Sequence, residues 1–159
     1  MIKQHSISVL VQDQPGVLLR VCGLFSRRGF NIDSITVGSS EENGLSRMII
    51  RTTGDLRTME QVEKQLNKLI DVIRVVHLSA SPMVARELAL IQVKAEPDIR
   101  PEIMGIVSTF RASVVDIGHN IMMIQADGST EKMNAIVQIL EPYGILQVSR
   151  TGTIAMTRG

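Results

Sequence analysis

Val9-Leu10-Val11-Gln12-Asp13-Gln14-Pro15-Gly16-Val17-Leu18-Leu19, continued by Gly23-Leu24-Phe25-Ser26-Arg27-Arg28-Gly29-Phe30-Asn31-Ile32, decides the fold. It reads as a strand, a sharp turn, a helix, a glycine stop and a second strand. Ile7, Val9 and Val11 fall at every second position, the period of a strand with one buried face. Asp13 offers an N-cap oxygen, and Pro15 and Gly16 supply the turn. Gly16 lets the backbone come close to whatever lies above it. From Val17 onward the apolar residues recur at helical spacing. Unpaired N–H groups at such a helix start suit a bound carboxylate. The same residues also fit an ordinary strand-to-helix turn with its N–H groups on water.

Outward from this stretch the pattern continues. His5 to Val11 is the first strand and Val17 to Arg28 the first helix, with Leu18, Val21, Cys22 and Phe25 on one face and Val17 and Leu24 beside it. That stripe is wide enough to touch a partner as well as the chain's own sheet. Gly29 ends the helix as a C′ glycine. In the second strand, Phe30 to Gly38, the polar residues Asn31, Asp33 and Ser34 predict a bulge or a functional face. A loop ending in Asn43-Gly44 leads to a third strand, Leu45 to Thr53. Thr58 and Gln61 form a capping box for a second helix with Met59, Val62, Leu66 and Leu69 on one face. Asp71 to Ser79 is the fourth strand. The order β-α-β-β-α-β is that of a ferredoxin-like unit.

The pattern then repeats after Ser81-Pro82. Glu87 to Ala95 is a strand, Pro101 opens a helix, Val114 to Ile117 and Ile121 to Ala126 are strands, Ser129 caps a helix, and Ile145 to Ser149 is a strand. Thr153 to Met156 is expected to extend the sheet. Phe25 to Ile32 aligns in length and end residues with Phe110 to Ile117, so two copies of one supersecondary unit are expected. The fold class is therefore α+β, two ferredoxin-like βαββαβ units, with domains 1–80 and 81–159. The second copy's turn, Glu96-Pro97-Asp98-Ile99-Arg100-Pro101, has no glycine. The second unit is accordingly read as an assembly or docking module.

Composition limits the function classes. The 159 residues are 44% hydrophobic with a formal net charge of +1, so neither nucleic acid nor membrane is a general electrostatic partner. Aromatics are 3%, too few for a base-stacking platform. No apolar run has the length of a membrane span, and no signal peptide is visible. The single cysteine, Cys22, reads as a buried thiol and fits a reducing cytoplasm. His5, His77 and His119 lack metal-ligand spacing, and no phosphate loop is present. Among the nine methionines, Met48, Met104 and Met133 fall in core-like patterns.

Asp13-Gln14-Pro15-Gly16-Val17-Leu18 resembles the ACT domain, a small amino-acid-binding regulatory module. The longer run Gly23 to Gly38, with Gly44-Leu45-Ser46-Arg47-Met48, Glu63-Lys64-Gln65-Leu66-Asn67-Lys68-Leu69, Arg86-Glu87-Leu88-Ala89-Leu90-Ile91 and Arg150-Thr151-Gly152, is similar to the regulatory subunit family of acetolactate synthase. The resemblance covers almost the whole chain. It implies that residues 1–80 are an ACT domain for effector binding and dimerisation, and that residues 81–159 serve assembly or docking. It implies a non-catalytic chain that raises the activity of a large catalytic subunit and confers feedback inhibition, usually by valine, in branched-chain amino acid biosynthesis. Thiamine diphosphate, Mg2+ and FAD belong to that large subunit, and no cofactor is expected here.

In the family, effector sites lie between the ACT domains of two small subunits. The resemblance thus implies a homodimer in which Asp13, Gln14, Pro15, Gly16, Val17 and Leu18 of one chain face Asn31 and Ile32 of the other. Many members carry Asn where this chain has Asp13, a carboxylate able to favour an ammonium or simply to cap the helix. Physically, N–H groups would take the ligand carboxylate, an oxygen of Asp13 or Asn31 the ammonium, and Val17, Leu18 and Ile32 the branched side chain. Val, Leu and Ile are poorly separated by such a recess, because one methylene is worth about 1–3 kcal/mol. The alternatives are a stand-alone ACT regulator of transcription or of another enzyme, for which no DNA-contacting element is visible, and an enzyme on the same scaffold.

Overall fold

A computed structural model describes residues 1–159. Its elements are β1 (Lys3–Gln12), α1 (Val17–Arg27), β2 (Ile32–Ser39), β3 (Leu45–Gly54), α2 (Leu56–Asn67) and β4 (Val72–His77), then β5 (Met83–Lys94), α3 (Arg100–Thr109), β6 (Ser113–Ile117), β7 (Ile121–Gly128), α4 (Thr130–Leu140), β8 (Ile145–Arg150) and β9 (Ile154–Thr157). The first sheet has the order β2-β3-β1-β4. The second has the order β6-β7-β5-β8, with β9 also paired to β5. The two ferredoxin-like units are therefore present with the same strand order. No helix is long and apolar enough to cross a membrane.

In the first unit, alternation decides which face the helices cover. Ile7, Val9 and Val11 of β1 and Met48 and Ile50 of β3 pack with Val21, Phe25, Met59, Val62 and Leu66 of the two helices. The second core is built likewise from Ile91 and Val93 of β5, Met122 and Ile124 of β7, Ile103 and Val107 of α3, and Met133 and Ile136 of α4.

Several expectations are corrected at this level. The residue before α1 is Gly16, in the left-handed region at φ +85° and with no side-chain cap, so Asp13 does not cap this helix. For α2 the cap is Asp55, whose carboxylate accepts from the Thr58 N–H at 2.8 Å; the Thr58–Gln61 box is one turn too late. Met104 is 46% exposed, because α3 turns Ile103 and Val107 inward instead. Cys22 is only partly buried. The fourth strand stops at His77, and Leu78–Ala80 is a 3-10 turn. Gly29 and Ser129 behave as the sequence predicts: Gly29 sits at φ +71° after the α1 cap, and Ser129 accepts from the Lys132 N–H at 3.2 Å.

The chain divides into Met1–Val84 together with Thr153–Gly159, and Ala85–Gly152. The last seven residues thus sit with the first unit, whereas the sequence places 81–159 together. Their reason for being there is the sheet face away from the helices. Leu10, Ile49, Leu78 and Ala155 are all nearly inaccessible yet lie outside the helix-side core. Thr36 Oγ1 donates to the Thr153 carbonyl at 3.0 Å, and the Arg158 N–H donates to the Pro82 carbonyl at 2.9 Å. The C-terminal segment and the 3-10 turn, whose Ser79 Oγ accepts from the Ser6 N–H at 2.6 Å, roof this second face.

His5 and His77 are far apart in sequence but meet across β1 and β4, with Nδ1 of His5 3.0 Å from Nε2 of His77. The Gly54 carbonyl, 3.1 Å from His5 Nε2, can only accept, so His5 carries its hydrogen on Nε2 and accepts from His77 at Nδ1. Burial first, then the charges of His77 and Lys3, lowers the His5 pKa below the usual 6.5, against the raising effect of the Gly54 bond. As pH falls, the unfolded chain therefore takes up this proton before the native one does. The His5 contribution is complete above about pH 6.5 and is lost as pH falls through the lower native pKa. The urea midpoint is expected to drop between pH 7.5 and 5.5, and His5→Leu to flatten that slope. A slope unchanged in the variant would assign it to other groups.

Candidate functional site

The Gln14–Leu18 turn has a simple construction. Gln12 ends β1, and the N–H groups of Gln12 and of Asp13 just beyond it donate to the Asp71 and Gly44 carbonyls, both at 2.9 Å. The chain then reverses through exposed Gln14, Pro15 and Gly16. The Val17 N–H donates to the Gln14 carbonyl at 3.3 Å, and the Arg20 N–H to the Gly16 carbonyl at 3.0 Å. Between them lie Leu18 and Leu19, whose N–H groups are among those a helix start leaves without an intrahelical acceptor.

Val17 does not line a recess beside this turn; its side chain belongs to the core. The apolar stripe of α1 is centred on Val17, Val21, Leu24 and Phe25, one position away from the face expected. That rotation leaves Leu18 45% and Leu19 76% exposed, and so supplies the apolar surface next to the free N–H groups.

A feature the sequence did not reveal is Arg20. A Cβ built on Gly16 would lie 3.1 Å from Arg20 Nη1, so the guanidinium rests directly beside the turn. Asp71 holds it there, with contacts of 2.7 Å to Nε and 2.6 Å to Nη2. Gly16 is therefore favoured by its φ, and a side chain there would press on the Arg20 guanidinium and shift it by a few tenths of an ångström. The position four residues after a turn glycine, one helical turn on, was the only sequence signal available.

Ile32 begins β2, and Asn31 immediately precedes it. Asp33 forms the bulge that the polar run suggests, with the β2–β3 register shifting between Ile32 and Ser34. Its carboxylate accepts from Asn31 Nδ2 at 2.6 Å, Thr53 Oγ1 at 2.6 Å and Gln4 Nε2 at 3.1 Å. Burial opposes the charge, but these bonds outweigh it and hold the Asp33 pKa below the usual carboxylate value. With Nδ2 on Asp33, the Asn31 Oδ1 is the free end of the amide and can accept from an ammonium. Ile32 is half-buried against the core. The Thr52 hydroxyl donates to the Asn31 carbonyl and fixes the strand entry.

The two halves of this set do not meet within one chain. Gln12 pairs with Leu45, at one end of β3, and Ile32 pairs with Thr52, near the other. They are about 23 Å apart along the sheet at roughly 3.3 Å per residue. Yet β2 is an edge strand, with one row of backbone groups unpaired. A second chain pairing antiparallel along that edge would bring its turn level with the Asn31 of the first.

The corresponding turn of the second unit is closed by its own side chain. Arg100 Nε donates to the Ala95 carbonyl at 3.0 Å, and Nη2 to the Gly118 and His119 carbonyls at 2.9 and 2.7 Å. No group of three or more His, Cys, Asp or Glu side chains converges as a metal site.

The family model described as the small subunit of acetolactate synthase matches residues 86–159, and that described as the AHAS small subunit-like ACT domain matches residues 7–74. The acetolactate synthase small subunit of Mycolicibacterium smegmatis is 48% identical over 155 residues, covering 98% of this chain and 91% of the relative. The probable acetolactate synthase small subunit of Archaeoglobus fulgidus is 49% identical over 156 residues, 98% of both chains. The crystal structure of the small subunit from Thermotoga maritima superimposes with a TM-score of 0.91 at 41% identity, covering 99% of this chain and 98% of that one.

Proposed function

Since the chain belongs to the acetolactate synthase small-subunit family, we propose that it tunes a separate catalytic subunit, raising its activity and imposing feedback inhibition by a branched-chain amino acid, valine foremost. Membership carries a regulatory role and a large-subunit partner. We infer the effector and its site from the geometry of the first unit. The observation that carries it is the split arrangement: an open helix start flanked by Arg20, Leu18 and Leu19 at one end of the sheet, and the free Asn31 amide oxygen at the other, joined by an unpaired edge.

In this reading two chains pair through β2, giving a self-complementary two-fold interface. The turn N–H groups and Arg20 of one chain receive the effector carboxylate. Asn31 of the other accepts from the ammonium, and Leu18, Leu19 and Ile32 contact the branched side chain. Asp13, exposed and free of the capping role, stands near enough in sequence to add a second acceptor. Val17 shapes the site only through the helix it anchors. Thiamine diphosphate, Mg2+ and FAD stay with the catalytic subunit, in the reducing cytoplasm that the free thiol of Cys22 suits.

The test is reconstitution. Pure small subunit added to its catalytic subunit should raise acetolactate formation, and valine should reverse the gain. An unchanged rate across a tenfold excess would sink the proposal. The isolated chain should sediment as a dimer, and a charge on the exposed edge, Val37→Asp, should shift it toward monomer and weaken valine binding together. A monomer that binds valine with wild-type affinity would remove the shared site. Arg20→Met keeps the aliphatic stem and should weaken valine about tenfold, equivalent to about 1.4 kcal/mol. Asp71→Asn should cost less, because Arg20 is half-exposed and its attraction to Asp71 is weakened by water.

A further inference from the structure

We propose that the second unit carries a binding site for the phosphate group of a small phosphorylated ligand, in the cleft lined by Arg86, Arg111, Asp127, Gly128, Ser129 and Lys132. The cleft has a volume of about 450 Å3. Its three cations come from separate places: Arg86 from the start of β5, Arg111 from the turn before β6, and Lys132 from the first turn of α4.

These cations lack counter-ions. The chain's ion pairs are Arg20–Asp71, Arg47–Glu41, His77–Glu63 and Arg150–Glu87, none of them in the cleft. The hydrogen bond of the Arg86 side chain goes to the neighbouring Ala85 carbonyl. Two acids adjoin these cations in sequence: Glu87, which is buried and already holds Arg150 Nε at 2.6 Å and the Thr130 hydroxyl at 3.0 Å, and Glu131, which is exposed on the first turn of α4 and outside the cleft lining. Asp127 remains as the one carboxylate against three positive charges. Like charges gathered in a concave surface repel one another and raise the local concentration of anions.

Two backbone features deliver the side chains. Arg111 is the only non-glycine residue with positive φ, at +53°. Gly128 stands at φ +148°, and a Cβ there would lie 2.6 Å from Lys132 Cδ, so the lysine stem lies across the bare glycine. The absence of a side chain at 128 is what lets this cation reach the cleft.

The chemistry selects the ligand class. Two guanidinium forks and an ammonium suit a dianion with several oxygens better than a single carboxylate. No aromatic residue lines the cleft, so the ligand is held by its phosphate and not by a stacked base. Asp127 offers an acceptor for a hydroxyl, as a phosphate monoester of an alcohol or sugar would carry. All six lining residues lie in the second unit, so this site is independent of the valine reading.

The experiment titrates the full-length chain with inorganic phosphate and with pyrophosphate by calorimetry, at fixed chloride. Saturable binding of one pyrophosphate per chain is expected. Arg111→Gly removes the guanidinium and suits the positive φ, so the fold is retained. Lys132→Met removes the charge and keeps the stem on Gly128. Each should weaken pyrophosphate at least tenfold and leave valine binding unchanged. Absence of saturable heat with both probes, or wild-type affinity in both variants, overturns the proposal. Should one variant lose its circular dichroism signal, the other decides.

Discussion

Gly16→Asp should abolish valine inhibition of the reconstituted enzyme while leaving most of its activation. The added carboxylate would stand where the effector carboxylate is proposed to enter. At an effective dielectric near 20, two such charges about 4 Å apart repel by roughly 4 kcal/mol, and even about 1.4 kcal/mol is tenfold in affinity. The φ of +85° adds strain, though Asp tolerates the left-handed region better than most residues. Arg20 adds a competing effect. With Nη1 3.1 Å from the new Cβ, it can turn from Asp71 to the intruding carboxylate and so be lost to the ligand. Gly16→Ala separates the contributions, since it keeps the crowding and strain without the charge; it should weaken inhibition less than the aspartate does. Inhibition as strong as wild type in Gly16→Asp would remove this turn from the effector site. Loss of activation and inhibition together would show that the turn is needed for the fold of the first unit.

Removal of Thr153–Gly159 should cost the first unit a large part of its stability. The segment lies against β1 and the 3-10 turn, which carry the buried Leu10 and Leu78, and its Thr153 takes bonds from Thr36 and Arg51. Complete exposure of one such aliphatic side chain costs about 1.5–3 kcal/mol, so partial exposure of several gives a loss of roughly 2–4 kcal/mol. In a unit of this size each kcal/mol lowers the melting temperature by about 4–8 °C. Hydrogen exchange should accelerate in β1 and β3, while β5 and β7 keep their protection. Unchanged exchange in β1 would mean that the 3-10 turn alone covers this face. Ala155→Glu, which leaves the chain length intact, should act in the same direction.

The repeated βαββαβ order was legible because alternation in the strands and the helical stripes agree with one another twice over. Caps were legible where a single residue satisfies the rule, as at Ser129 and Gly29. They were misread where two candidates compete: Asp55 precedes Thr58 and binds its N–H first, and Gly16 ends the approach to α1 before Asp13 can reach. Met104 was misplaced because a helix of modest amphipathicity admits more than one inward face. The His5–His77 contact and the Arg20–Asp71 pair were hidden for a different reason. Each joins residues brought together only by the β1–β4 pairing and the packing of α1 beside it, and neither partner has an unusual local pattern. The same holds for the proposed effector set. The sequence named its residues on resemblance, but only the strand register shows that one chain holds them at opposite ends.

The roof over the first sheet also has a consequence in time. Its residues, Thr153–Gly159, leave the ribosome only after all of Ala85–Gly152 has been made. At about 5–20 residues per second, the outer face of that sheet stands bare for several seconds with Leu10 and Ile49 unprotected. A nascent first unit therefore carries an uncovered apolar face, the kind of surface that favours association, until its neighbour in sequence has been completed.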